Sequence, residues 1–457
     1  MSMAGCVPFL PRSPQYASPP LPVVNSYPTG SADGEIVTAS WRDYFTDPRL
    51  CELIAQALEN NRDLRTAALR VEETRAMYRI RRADQFPTAG IGANAIHAGM
   101  LGNSSLTSQS SILDYRQVGL NLASWEIDFW GRLRNLKNAA LQNYLASEEA
   151  HRAATVILIA QVADTYLIIR ELDERIILAR QAIASREKSF HIFTRRFEVG
   201  STSRLDLIQV ETLLRQAQAL AAQLEQERAI QAHALTLLAG APGDLAVTQE
   251  RFNDQGMLQE LRAGMPSDLL LRRPDIIAAE HQLRAAHANI AAARAAFFPR
   301  VTLTGSAGTT SLDLAGLFST PGLFSSGTGS WNFMPSISLP IFDGGRNMSN
   351  LNLAEVRRTI AVANYEKTIQ TAFRDVSDAL SAQQWLTEQA RIQKATFTAQ
   401  SERARLATLR YDNGAASFLE VLDAQREVLS GEQQLVQIRR ALLSSRVRLY
   451  AALGGGA

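Results

Sequence analysis

The sequence predicts an α+β membrane protein of two similar halves, in which very long antiparallel coiled-coil helices are joined to four strands of the barrel type. Three observations carry this. Sliding the 457-residue chain on itself by about 212 to 214 positions brings like residues together along most of its length. Two long proline-free stretches, 131–197 and 346–411, carry apolar residues with helical spacing. Two pairs of short segments alternate apolar and small or polar residues at the strand period of two.

The repeat is clearest at a stretch that occurs twice. Arg196-Phe197-Glu198-Val199-Gly200-Ser201-Thr202-Ser203-Arg204-Leu205-Asp206 is matched by Arg410-Tyr411-Asp412-Asn413-Gly414-Ala415-Ala416-Ser417-Phe418-Leu419-Glu420. Each copy reads as a helix end, a left-handed glycine and a new helix start. Ser203 and Ser417 suit N-caps, and Asp206 and Glu420 stand three residues on, as a capping box requires. Outside the hairpins, Phe86-Pro87 falls on Phe298-Pro299, Asp63 on Asp275, Gly131-Arg132 on Gly345-Arg346 and Asp164 on Asp378. A duplication of this length changes the fold expected of the whole chain.

In order, residues 1–46 form an extended, proline-rich segment, with Cys6 after Met3-Ala4-Gly5. That tripeptide is similar to the end of a bacterial lipoprotein signal, although the basic and apolar regions of a signal peptide do not precede it. The first repeat is expected over 47–240. Asp47-Pro48 opens a helix with a break near Asn60-Asn61, and a strand pair follows at about 88–128. A long helix then covers 131–197, a tip hairpin 197–203, and a returning helix closes the half. An equatorial linker covers 241–266. The second repeat, 267–457, has strands at about 300–342, a long helix at 346–411, a tip hairpin at 411–417 and its own returning helix. At 1.5 Å per residue each long helix would reach roughly 100 Å. In the first, Leu158, Val162, Thr165, Ile169, Leu172, Ile176, Ala179, Ile183, Arg186, Phe190, Phe193 and Phe197 repeat every 3.5 residues, the spacing of a left-handed coiled coil. In the second strand pair, Trp331, Phe333, Ile337, Leu339 and Ile341 alternate with Asn332, Met334, Ser336 and Ser338, which fits a lipid face backed by a polar lumen.

Composition narrows the function. The formal net charge of +2 carries no nucleic-acid bias. Two cysteines, Cys6 and Cys51, give no disulfide framework. The longest apolar runs resemble Val156 to Ala160, short of a membrane helix. Six histidines form neither an HExxH pair nor a cluster with cysteine, so no metal site is read. No phosphate loop or nucleophile elbow is present, and neither an enzyme nor a cofactor is expected. A purely structural coiled-coil protein would account for the heptads but not for the strands.

From about Trp41 onward the chain resembles the TolC-like outer-membrane efflux channel family, in its lipoprotein branch serving resistance-nodulation-division pumps. The resemblance is carried by Ser267-Asp268-Leu269-Leu270-Leu271-Arg272-Arg273-Pro274-Asp275-Ile276, by Ala295-Ala296-Phe297-Phe298-Pro299, by Asn61-Arg62-Asp63-Leu64-Arg65, by Leu339-Pro340-Ile341-Phe342 and by Leu422-Asp423-Ala424-Gln425. It implies a homotrimer in the bacterial outer membrane. Four strands per chain would make a shared twelve-stranded barrel, and the long helices a trimeric α-barrel tunnel through the periplasm. Four strands cannot close alone, and open edges do not survive in lipid. Cys6 would be acylated and anchor the chain to outer-membrane lipid. The partners would be a periplasmic adaptor protein and an inner-membrane resistance-nodulation-division transporter, and the cargo small toxic compounds such as drugs and antibiotics. Copper or silver export and protein secretion are the alternatives within the same fold.

The resemblance also assigns the hairpins. Val199, Gly200, Ser201, Asn413, Gly414 and Ala415 would be the tips met by the adaptor. Asp206, Tyr411, Glu420 and Asp423 would form the periplasmic gate. In the family a tyrosine and an arginine bond the acid that matches Asp206. Tyr411 matches the tyrosine, whereas Ala416 stands at the arginine position. Asp206 and Glu420 have capping as a competing role. Asp423 lies beyond the box and would converge with its copies into a cation-attracting ring.

Overall fold

The computed structural model describes Pro19, Pro22 and residues 40–100, 111–241, 258, 273–311 and 329–455. Cys6, the 102–110 turn, the loop after Ser311 and, apart from Leu258, the 242–266 linker lie outside the described residues.

The first half runs α1 (Trp41–Tyr44), α2 (Pro48–Asn60), α3 (Arg62–Ala83), β1 (Ala89–Met100), β2 (Ser111–Ile127), α4 (Arg132–Glu198) and α5 (Arg204–Ala239). The second runs α6 (Pro274–Ala295), β3 (Arg300–Ser311), β4 (Gly329–Ser338), α7 (Arg346–Asp412) and α8 (Phe418–Ala452). From α3 and α6 onward the order is the same, and α4 and α7 are both 67 residues long. Two units emerge: Val71–Ser147 with Ala279–Tyr365, and Leu21–Arg70 with Glu148–Ala278 and Glu366–Ala457.

The first unit holds an antiparallel sheet in the order β1-β2-β3-β4. Its register sorts the side chains. Ile91, Leu120, Ala307 and Trp331 lie in one cross-strand row, and Gly90, Asn121, Ser306 and Asn332 in the adjacent one. Successive residues point to opposite faces, so one face is apolar and the other polar. Ile91 is 84% and Trp331 79% exposed, so the apolar face is uncovered within one chain. On the polar face the Gln117 amide donates to Ser306 Oγ at 3.2 Å, and Thr302 and Ser336 share a hydroxyl bond of 2.7 Å. β4 stops at Ser338, so Leu339 and Ile341 fall outside the strand into which their alternation places them. Pro340 has no N–H for a ladder, and the left-handed Gly344 and Gly345 then turn the chain into α7. Asp343 caps that helix through the N–H groups of Gly345 and Asn347, as Asp128 caps α4 through Leu133 and Arg134.

The second unit is packed around the start of the described chain. Asp47 caps α2 by accepting from the N–H groups of Arg49 and Leu50, and its other oxygen accepts from Tyr166 at 2.9 Å. Tyr44 stacks on Tyr450 with centroids 4.6 Å apart, and both lie in a core with Leu50, Ile54, Val162 and Leu167. Half-buried Cys51 donates its thiol to the Phe45 carbonyl at 3.0 Å; burial first, then the Asp47 charge, pushes that thiol's pKa up. The helix break comes at Asn61, whose side chain caps α3 through Leu64 N–H and donates to Leu238 O at 2.9 Å. At Gly240 φ is 69°, and a Cβ there would strike the Asn60 backbone.

The seam of α4 is buried at Leu158, Val162, Ile169, Leu172, Ile176, Ala179, Arg186 and Phe193, with Val210, Leu214, Ala217, Ala221 and Leu224 buried on α5. Contrary to the reading of short apolar runs, α4 is, among the described residues, the one helix long and apolar enough to cross a membrane. Its apolar run from Leu158 to Ile169 is instead packed in the core of the second unit.

Candidate functional site

The two hairpins end their incoming helices in the same way. Gly200 N–H donates to Phe197 O at 3.0 Å and Ser201 N–H to Arg196 O at 2.8 Å. Gly414 N–H donates to Tyr411 O at 2.9 Å and Ala415 N–H to Arg410 O at 2.8 Å. Both are Schellman closures on a left-handed glycine, with φ of 73° and 71°. Val199 is 78% exposed at the first turn, and Asn413, Gly414 and Ala415 are exposed at the second.

The outgoing helices differ. In the first hairpin the capping box is complete. Asp206 N–H donates to Ser203 Oγ at 3.1 Å, and Asp206 Oδ2 accepts from Ser203 N–H at 3.2 Å and from the Ser203 hydroxyl at 2.6 Å. Thr202 adds a bond of 3.1 Å. The Ser203 hydroxyl above all, then its N–H and Thr202, hold the Asp206 carboxyl below its ordinary pKa. In the second hairpin the expected box is absent. Ser417 is the N-cap but makes no side-chain cap bond. Glu420 is drawn away by Arg410, whose Nη1 donates to it at 2.7 Å while Nη2 reaches Ala415 O at 3.2 Å. A charged partner that also holds the turn carbonyl outcompetes a neutral N–H.

Asp423 is flanked by two arginines: Arg403 donates to one oxygen at 2.7 Å and Arg426 to the other at 2.5 Å. Tyr411 Oη accepts from Arg196 Nη1 at 2.5 Å, which joins the end of α7 to the end of α4. Within one chain, Tyr411 and Asp206 each have other partners. Phe418 sits behind these contacts. Its ring lies 4.5 Å from Phe193 and 5.0 Å from Tyr411, between centroids, and it packs on Val210 and Leu422 on one side and on Ala407 and Val421 on the other. No group of acids, histidines and cysteines among the described residues could hold a metal ion.

The chain thus combines one four-stranded sheet with an apolar face, twin 67-residue helices and twin glycine-closed hairpins. The family model for outer membrane efflux protein matches residues 53–241 and again 265–455. The chain belongs to the outer membrane efflux protein family. A Pseudomonas putida relative, named solvent efflux pump outer membrane protein SrpC, is 43% identical over 451 residues, covering 97% of this chain and 94% of that protein. The crystal structure of a membrane protein from Pseudomonas aeruginosa superposes with a TM-score of 0.89 at 41% identity, covering 97% of both chains. The MtrE outer membrane channel of Neisseria gonorrhoeae, solved in its open state, superposes at 0.86 with 38% identity, covering 97% of this chain and 98% of that one.

In this efflux protein the residues read as gate do fall around the two hairpins, Asp206 on one and Tyr411, Glu420 and Asp423 on the other. The sequence reading missed the arginines that engage them, Arg196, Arg403, Arg410 and Arg426, and the ring that packs on Tyr411 and Phe193, Phe418. A signal for Phe418 was present. The repeat sets it against Arg204, and an aromatic in place of a cation beside a cap marks a position with a different neighbour.

Proposed function

We infer that this outer-membrane efflux protein is the passive exit duct of a tripartite pump for small toxic compounds. The observation that carries the reading is the open four-stranded sheet with one apolar and one polar face, continued into twin 67-residue helices. β1 and β4 have no further strand partner among the described residues. In lipid both edges must pair. Three copies would close a twelve-stranded barrel and carry the long helices into one α-barrel tunnel. The two separately matched segments support an internal duplication with repeats at 47–240 and 267–457 around a 241–266 linker. Acylation of Cys6 in the 1–46 segment would add a lipid anchor. The hairpins would meet the periplasmic adaptor, with the resistance-nodulation-division transporter beyond it. The name of SrpC favours small apolar toxicants as cargo.

The test joins assembly to transport. The detergent-purified protein is expected to be a trimer by light scattering. Expressed with its cognate adaptor and transporter in a host lacking its own channel, it is expected to restore tolerance to toluene. A monodisperse monomer, or a trimer without any effect on tolerance, would overturn this reading.

A further inference from the structure

Arg186 occupies a seam position of α4, in series with Ile183 and Phe190, where the coiled coil wants an apolar side chain. It is 7% exposed. Nη1 donates to the Leu213 carbonyl of α5 at 2.7 Å, and no carboxylate pairs with it among the described residues. Burial, and then the like charge of Arg426, hold its pKa below the ordinary guanidinium value. A buried charge without a counter-charge is among the costliest features a fold can keep.

Arg186 lines a cavity of about 340 Å³ between α4, α5 and α8, together with Arg175, Arg426, Ser430, Gln433 and Gln434. That is room for roughly ten water molecules. None of the residues lining it is acidic. The carboxylates that serve the other two arginines lie outside the lining: Glu427 stands 3.8 Å from Arg426, and the other two are shared. Glu171 accepts from Arg175 at 3.0 Å and from Arg440 at 2.7 Å. Asp423 accepts from Arg426 and from Arg403. On its other side Arg186 lines a cavity of about 230 Å³ that also includes Glu432. The lining itself therefore carries three guanidinium groups and no carboxylate, and its amides and hydroxyl provide further donors.

We propose that this cavity binds a small oxyanion, of carboxylate or phosphate type, on the guanidinium of Arg186 with Arg175 and Arg426 around it. Planar guanidinium groups suit such anions because they donate in parallel pairs. Because the cavity is bounded by α4, α5 and α8, the bound anion would also pin the three helices in register.

The experiment uses the full-length protein in detergent, freed of phosphate and organic acids, and does not depend on the channel reading. Inorganic phosphate and citrate are titrated separately by calorimetry, with the melting temperature followed in parallel. Wild type is expected to bind at least one of them saturably and to melt higher in its presence. Arg186→Gln is expected to bind at least tenfold more weakly and to lose the shift, while Arg186→Lys keeps most of both. Binding of phosphate alone or of citrate alone identifies the type of anion. Should Arg186→Gln fail to fold, Arg426→Gln supplies the second variant, with binding expected to weaken by severalfold. No saturable binding by wild type, as when a carboxylate of a second copy answers Arg186, overturns the proposal, and so does equal binding by wild type and the variants. Failure of the channel reading would appear separately, in assembly and toluene tolerance.

Discussion

Replacing Phe418 by alanine tests whether the tip is held by apolar packing. The ring is half-buried and makes two aromatic contacts, 4.5 Å to Phe193 and 5.0 Å to Tyr411 between centroids. Full burial of a phenylalanine is worth about 1.5–3 kcal/mol, so half of it contributes about 1 kcal/mol. Each aromatic pair adds about 0.5–1.5 kcal/mol. Together the ring supplies about 3 kcal/mol to the tip, within the second hairpin through Tyr411 and to the first through Phe193, and a tenfold change takes about 1.4 kcal/mol. Phe418→Ala is therefore expected to raise the population of the loosened tip roughly a hundredfold. In planar-bilayer recordings the fraction of time in high-conductance states should rise by at least a factor of ten. Phe418→Leu, which keeps bulk without the ring pairs, should fall between. A folded Phe418→Ala protein with the wild-type open fraction would refute the reasoning.

Two further outcomes follow from the acids. Asp423→Asn frees two guanidinium groups now held at 2.7 and 2.5 Å, so the reversal potential in a salt gradient should move towards anions; no shift at about 10 mM salt, where a charge is felt over about 30 Å before it is screened, would show that Asp423 lies off the conducting path. The Asp206 carboxyl is held below its ordinary pKa by Ser203 and Thr202, so the stability it lends the first hairpin is complete above an unfolded pKa of about 3.9 and is lost as pH falls through the lower folded value. The ratio of amide exchange rates between Asp206→Asn and wild type at this hairpin should be large at pH 6 and decline below about pH 4; a ratio independent of pH would remove the capping box from the account.

Much of the fold was legible because long-range repetition and short-range chemistry agreed. Proline-free heptads of this length leave a helix no place to stop, and glycine followed by Ser-x-x-acid leaves a hairpin little alternative. The strands were legible from alternation, except at the end of β4, where Leu339 and Ile341 keep the period but Pro340 removes the ladder donor. The arginine partners were not legible. Arg403 and Asp423 are twenty residues apart across a hairpin, and Arg196 and Tyr411 are 215 apart. No local pattern selects which of 47 basic residues reaches a given acid. Arg186 was visible in the seam, but only burial without a carboxylate separates it from an arginine that snorkels to solvent.

The hairpins are alike in sequence and unlike in bonding, which bears on how the tip is held with Ala416 where the resemblance places an arginine. Four contacts within the chain involve arginines on the helices rather than in the turns: Arg196 with Tyr411, Arg410 with Glu420, and Arg403 and Arg426 with Asp423. All are exposed or half-exposed, and such surface pairs are each worth about 0–1 kcal/mol. Phe418 supplies about 3 kcal/mol at one residue, more than any one of these pairs, so packing carries more of the tip than they do. The arginines then do what weak but directional contacts do well. They fix which acid faces which helix, and they set the local charge. Within one chain these orienting side chains arrive along α4, α7 and α8 and not from position 416.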